Sequence, residues 1–308
     1  MTPVTVRVPA KVNLQLTVGP LRSDGYHDLV TVFHALSLFD EVTVRPASRT
    51  SVRVTGEDAV DVPTGRANLA VKAAAALARA VGRTAGSAVA IEISKRIPMA
   101  AGLAGGSADA AATLVACNGL WRTGLSLPEL ANVAAGVGSD VAFALLGGTA
   151  VGLGRGEQLT AALAAGTYHW VLAFSTGGLS TPEVYATCDR LRAARGRQAM
   201  APQLSTTLMA ALRSADPAAV GPLLTNDLQP AALSMRPDLR RTLAAGREAG
   251  ALGAMISGSG PTCAFLAVGA AHAREVAVSL AGAGVCRSVT RVHGPVPGAT
   301  IVDAAGRR

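Results

Sequence analysis

Apolar and polar residues alternate along 4–9 and 12–18, and again along 30–38, 41–45 and 52–54. That two-residue period predicts strands with one buried face. From 68 to 81 the pattern changes to an alanine-rich helix with Asn68 near its start. A strand at 89–94 follows, then helices at 107–118 and 126–135, the latter with Pro128 in its first turn. A short helix at 140–146 leads into a glycine-punctuated strand at 147–153. Beyond residue 160 the pattern predicts a strand at 169–174 and helices at 181–195, 206–215 and 237–249. Strands at 254–256 and 263–268, a helix at 271–283 and a strand at 285–292 complete it. A strand-rich first half and a second half mixing helices with strands predict an α+β fold of two lobes, 1–160 and 161–308. The Arg-rich stretch 192–202 reads as an exposed loop, and the tail after Pro295 carries no element signal.

Composition narrows the classes. Half of the 308 residues are hydrophobic but only 3% are aromatic, so the core is built mainly from Ala, Val and Leu. No apolar run is long enough to span a bilayer, and the N-terminus lacks the apolar segment of a secretory signal, so a cytoplasmic location is expected. Cys117, Cys188, Cys263 and Cys286 form no CxxC pair and no metal-ligand cluster with the histidines, which predicts reduced, mostly buried thiols. The net charge of +8 comes from singly scattered arginines. It reads either as a general compositional bias or as attraction for small anions. No basic block, aromatic RNP-like strand or helix-turn-helix pattern accompanies it, which argues against nucleic acid.

The stretch PMAAGLAGGSADAA, residues 98–111, joins a strand to a helix and carries almost no side chain. Helix N-termini present amides with no intrahelical partner and a partial positive charge, and glycines let an anion reach them. The loop lacks the lysine of a Walker A motif, and no GxGxxG follows the first strand. Ser107 reads as the helix N-cap or as a ligand for phosphate or Mg²⁺, and Asp109 as a first-turn acid. In PAKVNLQL, Lys11 and Asn13 project from one face of a strand, either a solvated edge or a site. RSDGYHDL sets Tyr26 beside His27 in a turn, either to pack a loop or to stack on a flat ring. GSDVAF places Asp140 at a helix start, as an N-cap or as a general base aimed into a cleft. SGSGPT, residues 257–262, is a second glycine loop, either a tight turn or a partner for the first from the other lobe.

In this order, PAKVNLQL, PMAAGLAGGSADAA and SGSGPT resemble the three motifs of the GHMP kinases. RSDGYHDL and GSDVAF resemble the branch acting on 4-diphosphocytidyl-2-C-methyl-D-erythritol in non-mevalonate isoprenoid precursor biosynthesis. The resemblance spans residues 4 to about 268. It implies a ribosomal protein S5 domain 2-like N-terminal lobe, a ferredoxin-like C-terminal lobe and an active site in the cleft. It implies ATP-dependent phosphorylation of that substrate's 2-hydroxyl with Mg²⁺ as cofactor, no nucleic-acid or membrane partner, and a monomer or weak homodimer. Asp140 matches the catalytic carboxylate and Lys11 its partner. Asn13 and Thr181 match substrate-contacting positions. Tyr26 and His27 match the cytidine-binding pair, and Tyr185 an aromatic that sandwiches the cytosine with Tyr26. Asn68, Lys95, Pro98 and the loop Met99, Ala100, Ala101, Gly102, Leu103, Ala104, Gly105, Gly106, Ser107 and Ala108 match the ATP site, with Gly258 and Ser259. Ser107 also matches a metal ligand. Four loop alanines (100, 101, 104 and 108) depart from the family's glycine and serine, and Ala142 replaces a proline. The cradle is expected to survive if φ stays negative at those alanines. A homoserine- or mevalonate-type kinase and a non-catalytic nucleotide-binding protein are the alternatives. Tyr26-His27 argues against the first, and Lys11 with Asp140 against the second.

Overall fold

The computed structural model describes residues 2–56, 58–196 and 198–302. The two predicted strands at each end of the first hairpin fuse. β1 (Val4–Leu21) and β2 (His27–Pro46) are long antiparallel partners. Pro9, which has no N–H for the ladder, sits at a register shift, and a second shift falls between Asn13 and Gln15. The chain therefore passes through these interruptions as one bulged strand. β3 (Ser51–Gly56), α1 (Leu69–Ala80), β4 (Val89–Lys95), α2 (Gly105–Trp121), α3 (Leu127–Ala135), α4 (Ser139–Leu146), β5 (Thr149–Leu153) and β6 (Gln158–Ala161) complete the first lobe. The sheet runs β1-β2-β4-β3, with β5 on β2 and β6 on β5. Asn68 caps α1 by accepting the Ala70 N–H at 2.8 Å, and Ser126 with Glu129 forms the capping box of α3.

The second lobe holds β7 (Tyr168–Phe174), α5 (Thr181–Ala194), α6 (Thr206–Arg213), α7 (Pro217–Val220), β8 (Thr225–Asn226), α8 (Gln229–Met235), α9 (Leu239–Glu248), β9 (Gly253–Ile256), β10 (Cys263–Ala267), α10 (Ala270–Gly282), β11 (Ser288–Gly294) and β12 (Thr300–Ile301). Its sheet is antiparallel in the order β11-β7-β10-β9. That strand order, with helices between β7 and β9 and between β10 and β11, is the ferredoxin-like arrangement. Strand β7 is buried on both faces. Trp170 and Leu172 join the large core shared with the first lobe, and Val171 and Ala173 join a smaller core under α5, α8, α9 and α10. The short elements β6, α7, β8, α8 and β12 have no counterpart in the hydrophobic pattern.

Two segments from beyond residue 160 return to the first lobe. β8 pairs with β1, and β12 pairs with β1 at Val6 and Arg7. The tail after Pro295 thus packs on the first lobe, with Ala299 N–H donating to the Ala144 carbonyl at 2.9 Å. Residues 303–308 lie outside the described residues. The four cysteines are free, and three are buried. Among the described residues no helix is long and apolar enough to cross a membrane.

Beneath the glycine loop, three ionisable side chains are shut away from water. Lys95 Nζ donates to Asp40 Oδ2 at 2.5 Å and to Asp109 Oδ2 at 2.9 Å. Asp40 Oδ1 accepts the Arg96 and Ile97 amides at 2.6 and 2.9 Å. Burial pushes Lys95 down, but Asp109 and Asp40 more than offset it and hold the ammonium above its ordinary value. Burial pushes Asp109 up to about 8 against the pull of Lys95. Asp109 is therefore an internal partner of Lys95 in α2, not a first-turn acid facing solvent. Lys95→Met leaves two buried carboxyls without a cation and is expected to cost about 3–5 kcal/mol of unfolding free energy in denaturant titration. A cost under about 1 kcal/mol, that of an ordinary substitution, contradicts the bracing role.

Candidate active site

The two glycine loops meet. The Gly102 carbonyl accepts from Lys11 Nζ and from Ser257 Oγ, each at 3.0 Å, and Thr262 N–H donates to the Ala101 carbonyl at 3.4 Å. At Gly102 φ is +76°, and a Cβ there would lie 2.0 Å from the Ser257 carbonyl oxygen, so only glycine fits this contact. The second loop is tied down in turn. Ser257 N–H donates to the Thr262 carbonyl, and the Asn226 amide donates to the carbonyls of Ile256 and Gly258. The loop at 257–262 is thus both a tight turn and the first loop's partner.

The helix after the first loop begins at Gly105, with Ala104 as its N-cap and the Ala104 carbonyl accepting the Ala108 N–H at 2.8 Å. Ser107 is the third helical residue and not the cap. The amides of Gly105, Gly106 and Ser107 are the unpaired first-turn donors. Ala100 and Ala104 have φ of +48° and +60°, so the expectation of negative φ at the loop alanines fails. Each carries a strain of roughly 1–2 kcal/mol, but an alanine keeps its amide, so the cradle's donors are intact.

These loops wall a cleft of about 660 Å³. From the predicted set, Lys11, Asn13, Tyr26, His27, Met99, Ala100, Ala101, Gly102, Ala104, Gly105, Gly106, Ser107, Asp140, Thr181, Tyr185, Gly258 and Ser259 line it. Five others do not. Lys95 is held below the loop by its two carboxylates. Asn68 spends its side chain capping α1 and donating to the Pro63 carbonyl at 2.6 Å. Pro98, Leu103 and Ala108 are buried in the packing behind the loop.

At the centre of the cleft, Lys11 Nζ donates to Asn13 Oδ1 at 2.7 Å and lies 3.8 Å from Asp140 Oδ2. Asn13 Nδ2 donates to Thr31 Oγ1, which donates to the Gln15 carbonyl, each at 2.8 Å. The strand face carrying Lys11 and Asn13 is thus an internal polar chain, not a solvated edge. Burial lowers the Lys11 pKa, while the Asp140 charge opposes that shift. Asp140 is the second residue of α4, whose cap is Gly138, so its carboxylate is free to face Lys11. Thr181 and Ser259 share a hydrogen bond at 2.9 Å.

At the far end, Tyr26 is half-exposed, with the Arg155 guanidinium 4.7 Å above its ring. His27 is buried, stacks on Tyr185 at 5.2 Å and meets Asp189 through Nε2. Burial, with Asp140 nearby, pushes the Tyr185 hydroxyl above its ordinary pKa. Thr31, Arg155 and Asp189 also line the cleft but were not found from sequence. Asp189 had a signal, since it follows Tyr185 by one helical turn and so shares its face. Arg155 had none beyond lying in a glycine-flanked turn.

The GHMP kinases N terminal domain model matches residues 68–148, and the GHMP kinases C terminal model matches 208–285. A 4-diphosphocytidyl-2-C-methyl-D-erythritol kinase of Nocardia farcinica is 58% identical over 304 residues, 98% of this chain and 97% of its own. This chain belongs to the GHMP kinase family. A crystal structure of 4-(cytidine 5'-diphospho)-2C-methyl-D-erythritol kinase matches with a TM-score of 0.74 at 34% identity, covering 94% of this chain and 98% of that one. The homoserine kinase of Cytophaga hutchinsonii shares the fold at a TM-score of 0.72 and 20% identity, over 98% of both chains. This GHMP kinase is a small-molecule kinase with its loops, its polar centre and its aromatic end in one cleft.

The two loop positions are expected to separate cleanly. Gly102→Ala collides with the Ser257 backbone and should cost roughly 1–3 kcal/mol of stability and raise the KM for ATP. Ala104→Gly relieves a left-handed alanine and should change stability by less than about 1 kcal/mol. Denaturant unfolding and ATP kinetics of both variants check this; equal losses contradict the wedge at Gly102.

Proposed function

We propose that this kinase transfers the γ-phosphoryl group of ATP to the 2-hydroxyl of 4-diphosphocytidyl-2-C-methyl-D-erythritol, with Asp140 as general base. The observation that carries the assignment of roles is the Lys11–Asp140 pair, 3.8 Å apart, between the amide-rich loop and the aromatic end of one cleft. The 58% identical relative of that name supports the choice of substrate.

The loop amides and the N-terminal charge of α2 receive the ATP phosphates. The substrate hydroxyl attacks the γ-phosphorus as the bond to the ADP oxygen breaks, and its proton passes to the Asp140 carboxylate. Lys11 offsets negative charge building on the transferred group, and its bonds to Asn13 and the Gly102 carbonyl fix its ammonium before reaction. Phosphoryl transfer asks mainly for positioning and electrostatics, which this arrangement supplies.

Mg²⁺ usually binds through one or two protein oxygens together with substrate phosphates. Ser107 and Asp140, which both line the cleft, fit such a sparse donor set, and no group of three acidic, His or Cys ligands exists among the described residues. Bound there with ATP, it would neutralise phosphate charge. Tyr26, His27 and Tyr185 favour a substrate with a flat ring over a small amino alcohol, and the Lys11–Asp140 pair favours turnover over binding alone.

Asp140→Asn keeps the shape of the side chain and removes the proton acceptor. It is expected to lower kcat for the cytidyl substrate by at least about 100-fold while the thermal melt stays near wild type. A kcat near wild type contradicts the general-base role.

A further inference from the structure

His27 and Tyr185 make one face of the far end of the cleft, and Asp189 stands behind His27. Its two carboxylate oxygens lie 3.1 and 3.0 Å from His27 Nε2. A carboxylate accepts and does not donate, so the ring hydrogen sits on Nε2. The other nitrogen, Nδ1, has no partner among the described residues, and it is not among the buried polar atoms sealed from solvent. In the neutral imidazole Nδ1 is therefore an acceptor, on a side chain that lines the cleft. The ring is held in this orientation, because it is buried and stacked on Tyr185 with an interplanar angle of 30°.

We propose that Asp189 is a positioning residue that fixes His27 as a hydrogen-bond acceptor and so makes the pocket prefer a pyrimidine carrying an exocyclic amine. Cytosine offers an amine at its ring edge; uracil offers a carbonyl oxygen at the same place. An acceptor facing that position gains a hydrogen bond from the first and meets a second acceptor in the second. A buried polar edge left unpaired is costly, so one fixed acceptor can discriminate strongly. The residues divide the work: Tyr185 supplies the stacking surface, His27 the acceptor and Asp189 its tautomer. Tyr185 and Asp189 are held in register by one element, since Asp189 follows Tyr185 by a single turn of α5, while His27 opens β2.

The proposal rests on reading this end of the cleft as the base pocket, but its test does not require the alcohol to be known. CDP and UDP are titrated calorimetrically into wild type, Asp189→Ala, His27→Ala and the double variant, with the ATP site filled by a non-hydrolysable ATP analogue. Wild type is expected to favour CDP by at least about tenfold, the value of one good edge contact. Asp189→Ala should bring the ratio close to one, and in the His27→Ala background it should change the ratio no further. Unchanged affinity for the ATP analogue shows that the variants are folded. With the cytidyl substrate, the larger part of the loss in Asp189→Ala should fall on KM rather than kcat. Equal or undetectable binding of CDP and UDP by wild type overturns the proposal, as does a CDP preference that survives Asp189→Ala. A preference that depends on Asp189, in a protein that phosphorylates some other alcohol, upholds it and rejects the substrate reading.

Discussion

A single buried ionisable cluster sets the position of the first glycine loop. Lys95 at the end of β4, Asp40 on β2 and Asp109 on α2 meet where water does not reach. Asp40 also takes the two amides that follow Lys95, so the entry and exit of the loop are pinned to one point. A loop built of glycine and alanine has no side chains with which to hold itself, and its conformational freedom is costly to restrain. Here the restraint comes from below. A buried ion cluster is a poor source of net stability, because desolvation consumes most of its attraction. Its return is geometric: strand, loop and helix have one mutual arrangement in which the Lys95 ammonium meets both carboxyl groups.

From that fixed base the cleft is assembled by close backbone approach. The Gly102 carbonyl is reached by Lys11 from one lobe and Ser257 from the other. The same ammonium faces Asp140. Loop closure and proton acceptance are thus linked through one side chain, which couples placement of the phosphates to placement of the proposed base. The left-handed alanines at 100 and 104 show that contacts around the loop override local preference, as expected where function requires a strained backbone.

Much of this was legible in the sequence because it is local. Strand and helix periods, the start of α1 near Asn68 and the bare glycine loops are written within a few residues of one another, and the motif order pointed to the GHMP family. Errors came where tertiary contact decides. Pro9 looked like the end of a strand, but a bulge carries β1 through it. Lys95 looked like a nucleotide ligand because a cation beside a phosphate loop has two uses, and only the positions of Asp40 and Asp109, far apart in sequence, distinguish them. Ser107 looked like a cap because serine favours that position, yet the left-handed turn at Ala104 starts the helix earlier. Short elements such as β8 and β12 have too few residues to show any period; pairing with β1 defines them.

In the proposed reading, one cleft joins a phosphate cradle and a proton acceptor to a pocket for a flat base. ADP release with Mg-ATP tests it most directly, measured with 4-diphosphocytidyl-2-C-methyl-D-erythritol, homoserine and mevalonate in parallel. Turnover is expected with the cytidyl substrate and only background release with the other two. Preferential turnover of homoserine or mevalonate would contradict the base pocket, and ATP binding without turnover of any alcohol would contradict the proposed role of Asp140.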